Sequence, residues 1–365
     1  MNYSQTTFKG PMTRQECMGK RLIECVPNIS EGRDANLIEA IVDAARIIEG
    51  CYVLGVEPDQ DYNRTVITLA GEPEPVVQGA IALIERSVEL LDMRTHTGEH
   101  PRLGVVDVCP FVPLSGVSMD ECAQMARDVV AHVAERTGAP MFLYGAAATH
   151  PERELLSRLR KDQYEGLEAR LSGLENRHSE FTQYPDAGSR EWNDVAAQAG
   201  GITVGARPIL VAYNVNVEEQ DATVSKKIGS LVRTSGRLLK TAQGNSVRVN
   251  GMLPMVQGMG VTLEEMNISQ VSMNLRDVSQ CPLHMAFKAC ESIANDHNTR
   301  LLGSEIVGLV PLKAMLETGA YFDPQATEER ALVAAAIEGL GLNRMHSFDP
   351  SQGIIEWAVE KEMMV

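Results

Sequence analysis

Residues 51–70 read CYVLGVEPDQDYNRTVITLA, and the fold turns on how this stretch is divided. Cys51 to Val56 is a short apolar run. Arg64 to Ala70 alternates and is rich in β-branched residues, the mark of a half-buried strand. Glu57-Pro-Asp59-Gln-Asp61-Tyr62-Asn63-Arg64 joins the two as a polar loop, so two strands follow one another with no helix between them. Upstream, Leu37, Ile38, Ile41, Val42 and Ala45 recur at helical spacing until Gly50 stops the run. Before that, residues 20–29 (KRLIECVPNI) read as a strand ending in a Pro-Asn turn. Downstream, Pro75 opens a helix with Val77, Ala80, Ile81, Ile84 and Val88 on one side. A loop at 93–102 and a strand from Leu103 to Cys109 complete the order βαββαβ.

Ser118-Met-Asp-Glu121 is a capping box ahead of a helix with Cys122, Met125, Val129 and Val133 as its stripe and Gly138 as its stop. Met141 to Tyr144 reads as a strand, 151–172 as one charged helix, and 175–200 as a long loop. The second half repeats the order: a strand at Ile209–Val217, a helix at 219–235, strands around 247–260 and 267–274, a helix at 283–296 and a strand at Leu301–Val310. Helices near 311–318 and 326–339 follow, with Ile354 to Val359 last. The expected class is therefore α+β: two ferredoxin-like βαββαβ subdomains, each an antiparallel sheet with helices on one face. Two open sheet faces in one chain lead us to expect a substrate groove between them.

The chain has 365 residues, with 33 Lys and Arg against 49 Asp and Glu, a formal net charge of −16. That balance argues against a nucleic-acid backbone or an anionic membrane as the main partner. It leaves room for a local cationic pocket that a sum does not register. Hydrophobic content of 44% and charged content of 22% are ordinary globular usage. No run reaches the 18 or so uncharged apolar residues of a spanning helix. The first residues lack a basic region followed by an apolar core, so no secretory signal is expected. Seven cysteines form no C-x-x-C pair, which reads as reduced thiols in the cytoplasm. Residues 1–19 are polar and without period, and are expected to be a flexible tail.

The densest polar cluster is Arg94-Thr-His96-Thr-Gly98-Glu99-His100-Pro101-Arg102. It reads as a solvated loop, as a zinc site built on His96 and His100, or as the seat of a general acid/base histidine. Gly98 and Pro101 break the helix that would put both rings on one side, which counts against zinc. Glu57, at a strand end, suits pairing with a histidine or a cationic substrate. Asn28, Ser30, Glu31 and Gly32 follow the first strand, where exposed N–H groups suit a carboxylate. Gly205-Ala-Arg207 precedes a strand and Gly308 to Lys313 precedes a helix, each placing one cation at an element boundary. Gly251 to Gly260 lacks the Lys-Ser/Thr of a phosphate loop, and no G-x-S-x-G is present. The residues alone describe an acidic two-unit protein with a histidine-centred loop, a transferase or hydrolase of small anions.

Four segments carry a resemblance. They are residues 24–32 (ECVPNISEG), 92–113 (DMRTHTGEHPRLGVVDVCPFVP), 203–217 (TVGARPILVAYNVNV) and 303–315 (GSEIVGLVPLKAM). Together they resemble the glutamate formimidoyltransferases, the formiminotransferase part of formiminotransferase-cyclodeaminase. The likeness runs from about residue 20 to 361; with no cyclodeaminase segment following, the chain is similar to the monofunctional bacterial-type form. The resemblance implies an N-subdomain at 20–208, a C-subdomain at 209–361, a homodimer, and folate bound between the subdomains. It implies transfer of a formimino group from N-formimino-L-glutamate to N5 of tetrahydrofolate in histidine degradation. Tetrahydrofolate is then a co-substrate, and no metal is expected. The family's catalytic histidine lies in GEHPR, which is His100 here. The family carries an Asp where this chain has Glu57, which keeps the charge and lengthens its reach. Arg64, Arg102, Arg207 and Lys313 are the candidates for the substrate carboxylates. Asp186 and Gly188, with Pro185, match the family's folate-binding segment. The alternatives are another donor (formiminoglycine or N-formylglutamate), a non-catalytic folate-binding protein, and a metal-dependent amidohydrolase using His96 and His100.

Overall fold

The computed structural model describes residues 21–174 and 178–364; the expected tail at 1–19 lies outside the described residues. The chain divides into two compact units at Arg207/Pro208, the second running Pro208–Lys361.

The first unit opens with β1 (Leu22–Cys25) and β2 (Asn28–Ile29), parted at Pro27. Helix α1 (Ala35–Arg46) follows, then β3 (Cys51–Asp59) and β4 (Arg64–Gly71) as a hairpin. Helix α2 is Pro73–Leu90, with Pro73 rather than Pro75 in its first turn, and β5 is Val106–Ser115. All these strands pair antiparallel: β3 with β4, β4 with β1 and β2, and those two with β5. The spatial order second-third-first-fourth is that of a split βαβ unit. Ile67 and Leu69 on β4 and Cys109 and Phe111 on β5 point into the core with Ile41 of α1 and Ile84 of α2. Arg64, Val66 and Thr68 alternate to the opposite face.

The sheet extends past its antiparallel part. After α3 (Met119–Thr137) come β6 (Met141–Gly145) and β7 (Ile202–Ala206); β7 lies parallel to both β5 and β6. The sequence expectation has no strand at 202–206. All five of its residues are buried, so the alternation that identifies a half-exposed strand is lacking. The expected helix over 151–172 is a series of short turns: Pro151–Arg153, Leu156–Leu159, Tyr164–Gly166 and Leu167–Leu171. Asp162 and Gln163 break it with φ of 64° and 56°. Its leucines still find a core, Leu159, Leu167 and Leu171 packing with Leu103, Phe142 and Tyr144. Arg170 turns inward, 2% exposed, and donates to the carbonyl oxygens of Leu159 and Gln183.

The second unit has β8 (Val211–Val217), α4 (Thr223–Val232), β11 (Val256–Leu263), β12 (Ile268–Leu275), α5 (Leu283–Asp296) and β13 (Leu301–Val307). A separate hairpin, β9 (Arg237–Lys240) with β10 (Ser246–Val249), precedes β11, so the strand expected around 247–260 divides between the end of the hairpin and the start of β11. The sheet order β11-β12-β8-β13, antiparallel throughout, again places the second strand beside the third, then the first, then the fourth. Helices α6 (Leu312–Phe322), α7 (Glu329–Leu340) and α8 (Ile355–Met363) close the chain. Among the described residues no helix is long and apolar enough to cross a membrane.

The cap of α3 is as the sequence spells it. Ser118 Oγ accepts from Glu121 N at 3.2 Å, Glu121 accepts from Ser118 N at 2.8 Å, and Gly138 ends the helix at φ 71°. Ser118→Ala should therefore lower stability by about 1 kcal/mol, read as a fall in the urea midpoint, while Ser118→Asp keeps most of it.

Candidate active site

The β3–β4 turn closes on Asn63 in the left-handed region, φ 48°, which a short polar side chain tolerates. The side chain is buried, and with the backbone carbonyl it joins the hairpin turn to two other segments. Its Oδ1 accepts from Gly32 N at 2.9 Å, its Nδ2 donates to Thr97 O at 2.9 Å, and its own carbonyl accepts from His96 Nε2 at 2.9 Å. The segment after β2, the hairpin turn and the 93–102 loop are thus tied together. Glycine permits the approach: a Cβ on Gly32 would stand 2.2 Å from Asp59 O, and one on Gly98 2.4 Å from Tyr62 O. Ser30 Oγ donates to Gly104 O at 2.8 Å, and Glu31 Oε1 accepts from Arg33 N and Asp34 N at 2.7 and 2.9 Å. These two side chains shape the segment.

The tied loop carries His100 to Arg64, whose Nη1 donates to His100 Nε2 at 2.8 Å. A guanidinium has no acceptor, so Nε2 holds a lone pair and the neutral ring carries its proton on Nδ1. That Nδ1 is buried without a hydrogen-bond partner among the described residues. Asp107 Oδ2 lies 3.9 Å away, beyond hydrogen-bond range. Asp107 sits on β5, 1% exposed; its Oδ1 accepts from Leu103 N at 3.0 Å and its Oδ2 from Arg160 Nη2 at 2.6 Å. The Nε atoms of Arg64 and Arg160 are likewise buried and unpartnered. Three N–H donors, from Arg64, His100 and Arg160, are therefore unsatisfied in one cluster. Burial first, then the charges of Arg64, Arg160 and Arg102, push His100 down to about 4, against a weaker pull from Asp59. Burial raises Asp107 above the usual carboxylate range, opposed by Arg160 and Arg64.

Sheet register brings other candidates to the same face. Asp59 pairs opposite Arg64, and Glu57 and Asn28 flank Val66 from either side. Asn28, Glu57, Asp59 and Arg64 thus share the face away from the helices. Glu57 is exposed, and Asn28 Nδ2 donates to Val26 O at 3.0 Å. The remaining candidates are engaged or distant in the chain. Arg102, 7% exposed, gives two charge-assisted bonds to Glu165, at 2.8 and 2.6 Å, and a third to His96 Nδ1 at 3.1 Å. Both nitrogens of His96 are therefore occupied. Asp186 accepts from Leu143 N, Thr149 Oγ1 and Arg153 Nη2 at 2.7, 2.7 and 2.6 Å. Gly188, φ 81°, packs so that a Cβ would stand 1.9 Å from Ala139 O. Arg207 follows β7, its N donating to Phe111 O at 3.2 Å, and Lys313 is exposed on α6 of the second unit.

Comparison with known proteins identifies the family. The family model described as the formiminotransferase domain, N-terminal subdomain, matches residues 22–207, and that of the formiminotransferase domain matches 212–360. The chain belongs to the formiminotransferase domain family. It is 35% identical over 302 residues to the glutamate formimidoyltransferase of Streptococcus pyogenes serotype M1, covering 83% of this chain and 93% of that protein. Identity to its namesake in Thermoplasma acidophilum is 36% over 303 residues, 82% and 92% of the two chains. The formimidoyltransferase-cyclodeaminase of Dictyostelium discoideum is 39% identical over 352 residues, 94% of this chain and 62% of that protein. The chain spans about three fifths of the length of such cyclodeaminase relatives.

Within this family's domain, sequence reasoning passed over Asn63, Asp107 and Arg160. Asp107 has a signal: it is the only charge in the run GVVDVCPF at 104–111, where a strand core otherwise wants apolar residues. Asn63 shows only as a polar turn residue. Arg160 has none, because it stands in a segment whose pattern mimics a solvated helix.

Folding excludes a proton from His100, so between pH 6.5 and about 4 the unfolded chain binds more protons and stability falls as pH falls. Across that window wild type should lose more stability than His100→Gln in urea unfolding. Equal losses would mean the ring is not held neutral.

Proposed function

We propose that the chain transfers the formimino group of N-formimino-L-glutamate to N5 of tetrahydrofolate, giving 5-formiminotetrahydrofolate and L-glutamate, as a step of histidine degradation. Family membership supports this, as do relatives named for this activity over nine tenths of their length. The observation that carries it is local: a neutral imidazole beside unsatisfied, buried guanidinium donors. That is a base next to an anion site, inside an acidic chain.

The chemistry follows from the atoms. N5 of the reduced pterin attacks the amidine carbon, and the N5–C bond forms. His100 Nε2 takes the N5 proton. The bond from that carbon to the glutamate nitrogen then breaks, and His100 returns the proton to the departing amine. Nothing is oxidised or reduced. One imidazole serves both transfers. The amidine is cationic, so carboxylates rather than an oxyanion hole stabilise it, and Glu57 beside Asp59 on the sheet face is the proposed source. Arg64 and Arg160 hold the donor's carboxylates. Arg207 and Lys313 are proposed for the folate carboxylates. Asn28 lines the face, while Ser30, Glu31, Arg102, Asp186 and Gly188 act by fixing the loops that surround it. Because the amidine already carries the charge, the reaction calls for no metal. The reading includes folate binding, a homodimer and a cytoplasmic setting, which the resemblance and the scattered thiols imply.

The test is absorbance of 5,10-methenyltetrahydrofolate after acidifying a reaction of tetrahydrofolate with formiminoglutamate. Wild type should produce it. His100→Ala should lose about 10²- to 10⁴-fold in turnover while still quenching with folate. Unchanged turnover rejects His100 as the acid/base. Product only from formiminoglycine or N-formylglutamate moves the reading to another donor.

A further inference from the structure

The nitrogen that must accept a proton is the one already engaged. Arg64 Nη1 donates to His100 Nε2, and while that bond stands the lone pair cannot act as a base. On the far side of the ring, Nδ1–H points toward Asp107 and stops short of it at 3.9 Å. Two facts together suggest a movable arrangement. Arg64 uses one Nη on the ring and leaves its Nε–H buried and unmatched. A carboxylate would satisfy the fork of Nε and Nη2 in two parallel charge-assisted bonds, each about twice as strong as a neutral one, and because Nε is buried the guanidinium has to swing, taking Nη1 with it, to present that fork. A neutral imidazole offers one.

We propose that Arg64 is a latch: it caps His100 Nε2 until an amino-acid carboxylate draws the guanidinium away, freeing Nε2 and letting Nδ1–H close on Asp107. Asp107 is then a positioning residue, fixing the tautomer and orientation of the ring. Closure needs a ring movement of about 1 Å to reach the 2.7–2.9 Å of a charge-assisted bond. The proposal rests on the formimidoyl-transfer reading for the identity of the anion; the geometry of the latch is independent of it.

The surroundings set the direction of the change. The groups facing the imidazole are Arg64, Arg160 and Arg102 as cations, Asp59 and Asp107 as carboxylates, and the Tyr62 ring with its centroid 6.0 Å away. Burial first, and then the cations, which outweigh the carboxylates, hold the ring neutral down to about pH 4. Pairing Arg64 with an anion cancels the nearest positive charge. Asp107 is attractive to an imidazolium. Both changes strengthen His100 as a base at the moment the donor arrives, and a stronger base is also a group that can protonate the leaving amine at neutral pH.

The measurement is a titration of the full chain labelled with ¹⁵N-histidine, followed by long-range ¹H–¹⁵N spectra. The chain has eight histidines, and His100 is identified by the signal lost in His100→Gln. Without ligand, His100 should show the Nδ1–H tautomer. With saturating L-glutamate its midpoint should rise by about one unit or more. In Arg64→Gln the midpoint should already be raised and should not respond to glutamate, and the acidic limb of kcat/KM should move up by about the same amount. A merely structural loss would lower rates without moving that limb. If Arg64→Gln fails to fold, the wild-type titration decides alone. An Nε2–H tautomer overturns the latch. So does a His100 midpoint unmoved by glutamate whose binding calorimetry detects, and with turnover intact the reaction assignment then stands. Absence of calorimetric binding by glutamate and formiminoglutamate overturns latch and reaction together.

Discussion

One buried amide holds the site together. Asn63 can bond from the hairpin turn to two other segments because its backbone is left-handed, and it can be left-handed because Asn, like Gly, accepts that region. Each bond is worth about 1 kcal/mol net, and removing the side chain also strands the buried N–H of Gly32 at a further cost of about 1–3 kcal/mol. The 93–102 loop has no ladder of its own. Its other anchor is Arg102, whose guanidinium spans Glu165 and His96. His100 lies between those two anchors, and Pro101 after it restricts its backbone to extended forms. A loop so pinned behaves as part of the scaffold, which suits the proton transfer proposed for His100.

Electrostatics in the cluster depend on burial. Asp107 is almost fully enclosed, and an enclosed carboxylate is stable only with charged or hydrogen-bonding company. Leu103 N and Arg160 supply it on two sides. Arg160 in turn keeps one donor unmatched, as does Arg64, so the site as a whole carries more N–H donors than acceptors. That surplus is compatible with a chain of net charge −16 because solvent and counterions screen charges beyond about 10 Å, while buried neighbours feel one another fully. Net charge therefore describes what the surface repels, and the pocket's sign is set by a few side chains.

Much of this was legible in the sequence where one face of an element is wet. The hairpin at 51–70 and helices α1, α3 and α5 show themselves through alternation or period 3.6, and the strand order of both units follows. Legibility fails where both faces are dry or where polar groups turn inward. Ile202–Ala206 is buried throughout and shows no alternation. Arg153, Arg160 and Arg170 look like a solvated helical stripe but face the interior, satisfying backbone carbonyls and buried carboxylates. The histidine loop is visible as a dense polar motif, yet its partners are not, because Asp107 and Arg160 meet it only through tertiary contacts 7 and 60 residues along the chain.

The two units make the limits of fold-level reasoning concrete. Both arrange four strands in the same spatial order, and both turn one sheet face to helices. On the other face they differ in chemistry. The first unit places Arg64, Asp59 and Glu57 there, with His100 reaching in from a loop. The second places amides: Gln270 Nε2 donates to Asn216 Oδ1 at 2.8 Å and also to Glu305, while Asn214 Nδ2 donates to Glu305 at 3.3 Å. Those side chains satisfy one another, whereas the first unit's donors do not. An internally satisfied network stabilises a surface and gains little from a charged ligand; an unsatisfied one costs stability that an anion restores. The same topology thus yields a self-satisfied face in one unit and a face with unmatched donors in the other, and the difference lies in which side chains are left without partners.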